Sequence, residues 1–97
     1  MQQLFAVTRT RGLAWDQSRA MEQQRDWRGH ADFMNGLERE GFVVLGGPLE
    51  GTGDTLLIIR AESAVQIRER LAHDPWGPDM LELVQMLPWD LRLGSLA

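Results

Sequence analysis

Four short apolar runs, Leu4–Thr8, Phe42–Leu45, Thr55–Ile59 and Leu83–Leu87, are separated by two stretches with helical spacing. The first run, with Gln3 ahead of it, alternates moderately and carries β-branched and aromatic residues, which predicts a strand. Between about Glu22 and Glu40, Trp27, Ala31, Met34 and Leu37 recur at spacings of four, three and three, the inward stripe of an amphipathic helix that Gly41 would end. Asp16 or Ser18 is a candidate cap for this element. Phe42–Leu45 and Thr55–Arg60 read as strands joined by the turn-rich segment Gly46 to Asp54. A second helix is expected from Ala64 to about Ala72, opened by the capping-box pattern Ser63-Ala64-Val65-Gln66 and stopped before Pro75. Met80 to Leu87 supplies a last strand, which Pro88 interrupts or ends as an edge or bulge residue.

The order strand, helix, strand, strand, helix, strand, joined by right-handed crossovers, predicts an α+β, ferredoxin-like βαββαβ domain spanning 1–97. Its antiparallel four-stranded sheet has both helices on one face. The other face is then bare. A solvated antiparallel sheet should alternate apolar and polar residues, yet Phe42-Val43-Val44-Leu45 and Leu56-Leu57-Ile58-Ile59 do not. An open apolar face of that size is unusual for a monomer, so a homodimer stacked sheet on sheet, or a ligand pocket, is expected to cover it. A chain of this length also buries a modest share of its surface alone, which association would increase.

Composition narrows the chemistry. All ten basic residues are arginine, with no lysine, tyrosine or cysteine, which excludes Schiff-base, tyrosine-acid and thiolate chemistry and removes sulfur ligands for metals. The formal charge of −4 with signs interspersed argues against nucleic acid or an anionic membrane as partners. No apolar run approaches the ~18 residues of a membrane span, and Met1-Gln2-Gln3 leads into a strand without a leader pattern, so a cytoplasmic location is expected. The glycines of the 46–53 segment lack the lysine and following helix of a phosphate loop, and no serine sits in a nucleophile elbow.

His30 is the first candidate for chemistry. It lies three residues after Trp27 and four before Met34, on the border of the inward stripe, and imidazole suits acid and base work near neutrality. A core-edge histidine bound to a backbone carbonyl is the competing reading. Asp74 is the second: a carboxylate at the end of a helix opposes the macrodipole, which calls for a partner such as a histidine N–H or an arginine, or for a role in an Asp-Pro turn. A contact between the two is geometrically open, because both helices lie on one sheet face. His73, with His30 and Asp32, lacks any clustered metal-ligand spacing, so no metal and no cofactor are expected. Trp15, Trp27, Trp76 and Trp89 suit either a core or the walls of a site for a planar ligand. Arg9, Arg11, Arg60 and Arg92 lie at strand ends, where one could bind a substrate carboxylate bidentately, although most are expected solvated or paired at the surface.

The segments Trp27-Arg28-Gly29-His30-Ala31-Asp32-Phe33-Met34, Gly41 to Leu49, Asp74-Pro75-Trp76 and Pro88-Trp89 together resemble the YCII-related (YciI-like) family across nearly the whole chain. The resemblance implies a dimeric α+β barrel, in which two sheets pack face to face, and a histidine and aspartate pair falling on His30 and Asp74. Within the same motifs Trp27, Met34, Gly47, Pro48 and Trp76 are the expected substrate contacts. The wider superfamily includes isomerases, monooxygenases and dehydrochlorinating enzymes acting on small cyclic or aromatic compounds, so the resemblance implies a site rather than a reaction. Two functions follow as expectations. One is a small metal-free isomerase or lyase, with His30 as general acid or base and Asp74 as its orienter. The other is a non-catalytic binding or accessory protein holding a small apolar metabolite in the same cleft.

Overall fold

Phe5, Val7 and Arg9 are buried at alternate positions of the first strand, with half-buried Leu4, Ala6 and Thr8 between them. That alternation fixes which face of the sheet carries the core. The computed structural model describes residues 1–96. Its elements are β1 (Gln3–Arg11), a 3-10 turn (Met21–Gln23), α1 (Trp27–Arg39), β2 (Val43–Pro48), β3 (Asp54–Ala61), α2 (Ala64–Leu71) and β4 (Leu81–Trp89).

The strands form one antiparallel sheet in the order β2-β3-β1-β4, with Phe5 opposite Ile59 and Pro88, and Val7 opposite Leu57 and Met86. Leu37 of α1 and Ile67 and Leu71 of α2 share a single buried cluster with Phe5, Val7, Ile59 and Ala61. Both helices therefore pack on the same sheet face, and the fold is α+β and ferredoxin-like. Pro88 lies on β4, an edge strand with an unpaired side, where its missing N–H is tolerated.

Among the described residues the opposite face has no second layer. Leu45, Leu87 and Trp89 are exposed there, while Ile58, between its cross-strand neighbours Ala6 and Leu45, is shielded. The lack of alternation in the second strand has a cause besides two-sided burial. Val43 pairs with Ile59 and Leu45 with Ile58, so Val44 is the extra residue of a bulge that puts Val43 on the helix face and Leu45 on the open one. A second bulge, at Val84, falls where Thr8 and Arg9 pair with β4.

The first helix is shorter than its spacing predicts. Asp26 adopts the left-handed conformation, φ 56° and ψ 30°, so the chain turns sharply between the 3-10 segment and α1. At the other end Gly41, at φ 81°, closes a Schellman motif: its N–H bonds Glu38 O and that of Phe42 bonds Leu37 O. Ser63 caps α2 by accepting from Gln66 N at 3.2 Å. The return bond of a full capping box is displaced by one residue, since Gln66 Oε1 accepts from Glu62 N rather than from Ser63 N. Asp16 accepts from Ser18 within a loop and caps neither helix.

Candidate functional site

Three elements converge at one end of the sheet. β1 presents Arg9 on its helix face after Phe5 and Val7, α1 presents Trp27 and His30 one turn apart, and the turn after α2 presents Asp74 and Trp76. The left-handed Asp26 fixes where α1 begins, and its carbonyl accepts from His30 N at 3.1 Å, so the sharp turn sets the angular position of His30.

Asp74 is held on every side. Its Oδ1 accepts from Trp76 N at 2.9 Å, an Asx turn around Pro75, which has no N–H to offer. His30 Nδ1 lies 3.0 Å from Oδ1 and 2.9 Å from Oδ2, and Arg9 Nη1 donates to Oδ2 at 2.9 Å. The side chain of Asp74 is fully buried and that of Arg9 nearly so. Burial alone would raise the Asp74 carboxyl, but the hydrogen bonds from His30 and Arg9 outweigh it and hold it below its ordinary value. Near neutral pH it is an anion that only accepts, so the proton between the two groups sits on His30 Nδ1. The second ring nitrogen, Nε2, is then a lone-pair base when the imidazole is neutral.

The imidazole is clamped from the side as well. Trp76, 1% exposed, stacks on it with centroids 3.9 Å apart and planes 13° from parallel. The indole donates through Nε1 to Arg25 O at 2.5 Å, and Trp15 meets it edge-on at 5.3 Å. Trp27 lies 5.9 Å from His30 and 5.8 Å from Trp76.

A cavity of about 520 Å³ opens beside this cluster, within the size range of small-ligand sites. His30, Trp27, Met34, Gly47, Pro48 and Trp76 all line it, whereas Asp74 stands behind the imidazole. Gly46 shapes its floor: a Cβ there would lie 2.7 Å from Leu57 Cδ2, so any larger residue would push into the core. Of the aromatic candidates, Trp89 lies apart on the open sheet face. His73 is exposed, and no group of three His, Cys, Asp or Glu side chains among the described residues is disposed to hold a metal ion. No helix of the described residues is long and apolar enough to cross a membrane.

No family model matches this chain, and no curated protein does. The site's own geometry is what bears on its function.

Two residues carry more of the site than the sequence suggests. Arg9, one of four arginines of which most are expected at the surface, is 3% exposed and pairs with Asp74. Its position in phase with Phe5 and Val7 is the signal for that burial. Buried Gln24 ties down the loop ahead of α1, accepting from Asp16 N and donating to Asp16 O and Arg19 O. No periodicity marks a loop glutamine, so nothing in the pattern singles it out.

Proposed function

We propose that this protein is a small enzyme of the YciI-like kind that transfers a proton on a small cyclic or aromatic compound, as an isomerase or lyase. The observation that carries the reading is the bond from His30 Nδ1 to buried Asp74, which leaves Nε2 as the working nitrogen of a side chain that lines the cavity. In this reading Nε2 takes a proton from a carbon or oxygen acid and returns it to a different atom. Asp74 fixes the tautomer and stabilises the imidazolium that forms. Trp76 adds a π face against the same cation. Trp27, Met34, Gly47, Pro48 and Trp76 are the walls against which the substrate would be positioned.

The same reading includes a homodimer. Leu45, Leu87 and Trp89 on the helix-free face are the kind of apolar surface that a second copy would cover, sheet on sheet, as in a dimeric α+β barrel.

The test is a screen of cyclic acids and hydroquinones for quenching of tryptophan fluorescence, followed by NMR of each bound compound in deuterated water. Conversion or deuterium incorporation by the parent, slowed about 10²–10⁴-fold in His30→Gln with binding retained, supports proton transfer. Binding with no conversion or exchange, unchanged in His30→Gln, would make the protein a carrier instead.

A further inference from the structure

Arg9 has more hydrogen-bonding capacity than its one partner uses. Among the described residues its side chain makes a single hydrogen bond, from Nη1 to Asp74, and Arg9 Nε is the one buried side-chain nitrogen or oxygen without a partner. Nε and Nη2 form the edge of a guanidinium that grips a carboxylate side-on through two parallel N–H bonds. That edge has no protein acceptor. An unpaired buried donor is costly, and native interiors rarely keep one without a reason.

Arg9 lines the same cavity as His30 while Asp74 holds both from behind; Nε itself is closed to solvent, so a ligand engages that edge as the side chains over it shift. The bulge at Val84 falls at this point of the β1 and β4 pairing, a local distortion of the kind that re-aims side chains at sites. We infer that the Nε–Nη2 edge of Arg9 binds the carboxylate of a monocarboxylic acid whose apolar ring lies between Trp27, Met34 and Leu57.

The remaining lining limits the acid to one charge. Glu38 and Asp54 also face the cavity, and Arg11, the other cation there, lies over the Trp15 ring at 4.4 Å. A second carboxylate or a phosphate ester would add further like charge to a cavity that already carries those acids. The fork geometry matters as much as the charge, so lysine cannot stand in for arginine.

This inference rests on the proposed proton-transfer site but is tested without turnover. Purified parent protein is titrated with benzoate and cyclohexanecarboxylate and, in parallel, with their neutral amides, following the Arg9 Nε–H signal by ¹H–¹⁵N NMR. The expected result is that at least one acid moves that signal and binds at least tenfold tighter than its amide, and that Arg9→Lys, if folded, loses the preference. Should neither acid move the Nε–H signal, or should the amides bind as tightly, Arg9 is a structural partner of Asp74 and the inference falls. Acid bound on Arg9 with no compound ever converted would sink the proton-transfer reading alone. Conversion of a neutral compound through His30, with Arg9 silent, would sink this inference alone.

Discussion

The indole of Trp76 lies parallel to the imidazole of His30, 3.9 Å away, although the two residues come from different elements of the fold. The stack depends on the Asp-Pro turn, because the same carboxylate that accepts from Trp76 N also holds His30 Nδ1. Turn, stack and ion pair are therefore one unit. Trp76→Ala should cost about 3–5 kcal/mol by removing a buried aromatic. Trp76→Phe should cost less, since a ring is kept while the bond to Arg25 O is lost. Urea unfolding midpoints give both values.

Replacing Asp74 by Asn keeps the shape but removes the anion. Arg9 is then a buried cation without a counter-charge, a loss of about 3–5 kcal/mol. His30 then competes with Arg9 and Trp76 N for a single amide oxygen, so its tautomer is no longer fixed. Turnover should fall at least as steeply as for a mis-set general base, about 10²–10⁴-fold, with ligand binding less affected. Binding isotherms and rates on the same preparation separate the two effects.

The acid limb of stability should carry the signature of the same carboxylate. Folding holds the Asp74 carboxyl below its ordinary value, so the unfolded chain binds more protons through this group than the folded one. Its stabilising contribution is complete above the unfolded value of about 3.9 and is lost as pH falls through the lower folded value. Urea midpoints measured between pH 6 and pH 2.5 should drop below about pH 4 in the parent. The drop should be shallower in Asp74→Asn; equal slopes would contradict the assignment.

Much of this arrangement is written in residue spacing. The stripe through Trp27, Ala31, Met34 and Leu37 places His30 at the core edge, and the disfavoured acid after α2 calls for the kind of partners Asp74 has. The strand pattern is less direct, because the bulge at Val44 switches faces mid-strand and imitates two-sided burial. The break at Asp26 is hidden for a related reason. A left-handed residue interrupts a segment whose side chains still keep helical spacing, so periodicity runs the first helix back to Glu22. The contact between Arg9 and Asp74 spans 65 positions, and local pattern says only that Arg9 faces inward.

Ser63→Ala should destabilise the fold by about 1 kcal/mol, because Ser63 Oγ satisfies the N–H of Gln66 at the start of α2. Gln66 cannot compensate, since its own side chain is engaged with Glu62 N. An unfolding midpoint equal to the parent's would remove the cap.

If two copies stack through the open face, Leu87→Asp should separate them. Leu87 is 51% exposed in the single chain, so the change costs the isolated fold only about 0.5 kcal/mol. Light scattering should show a dimer for the parent and a monomer for the variant, with a melting temperature that depends on concentration in the parent alone. A monodisperse 11.0 kDa parent at micromolar concentration would contradict the dimer.

The central claim is that Asp74 holds the proton on His30 Nδ1 and leaves Nε2 as a base at the cavity. Long-range ¹H–¹⁵N NMR of the histidine rings, recorded where His30 is neutral, reads this tautomer directly. The account predicts a protonated, pyrrole-like Nδ1 and an unprotonated, pyridine-like Nε2 for His30, with that distinction lost in Asp74→Asn. A His30 ring carrying its proton on Nε2 in the parent protein would contradict it.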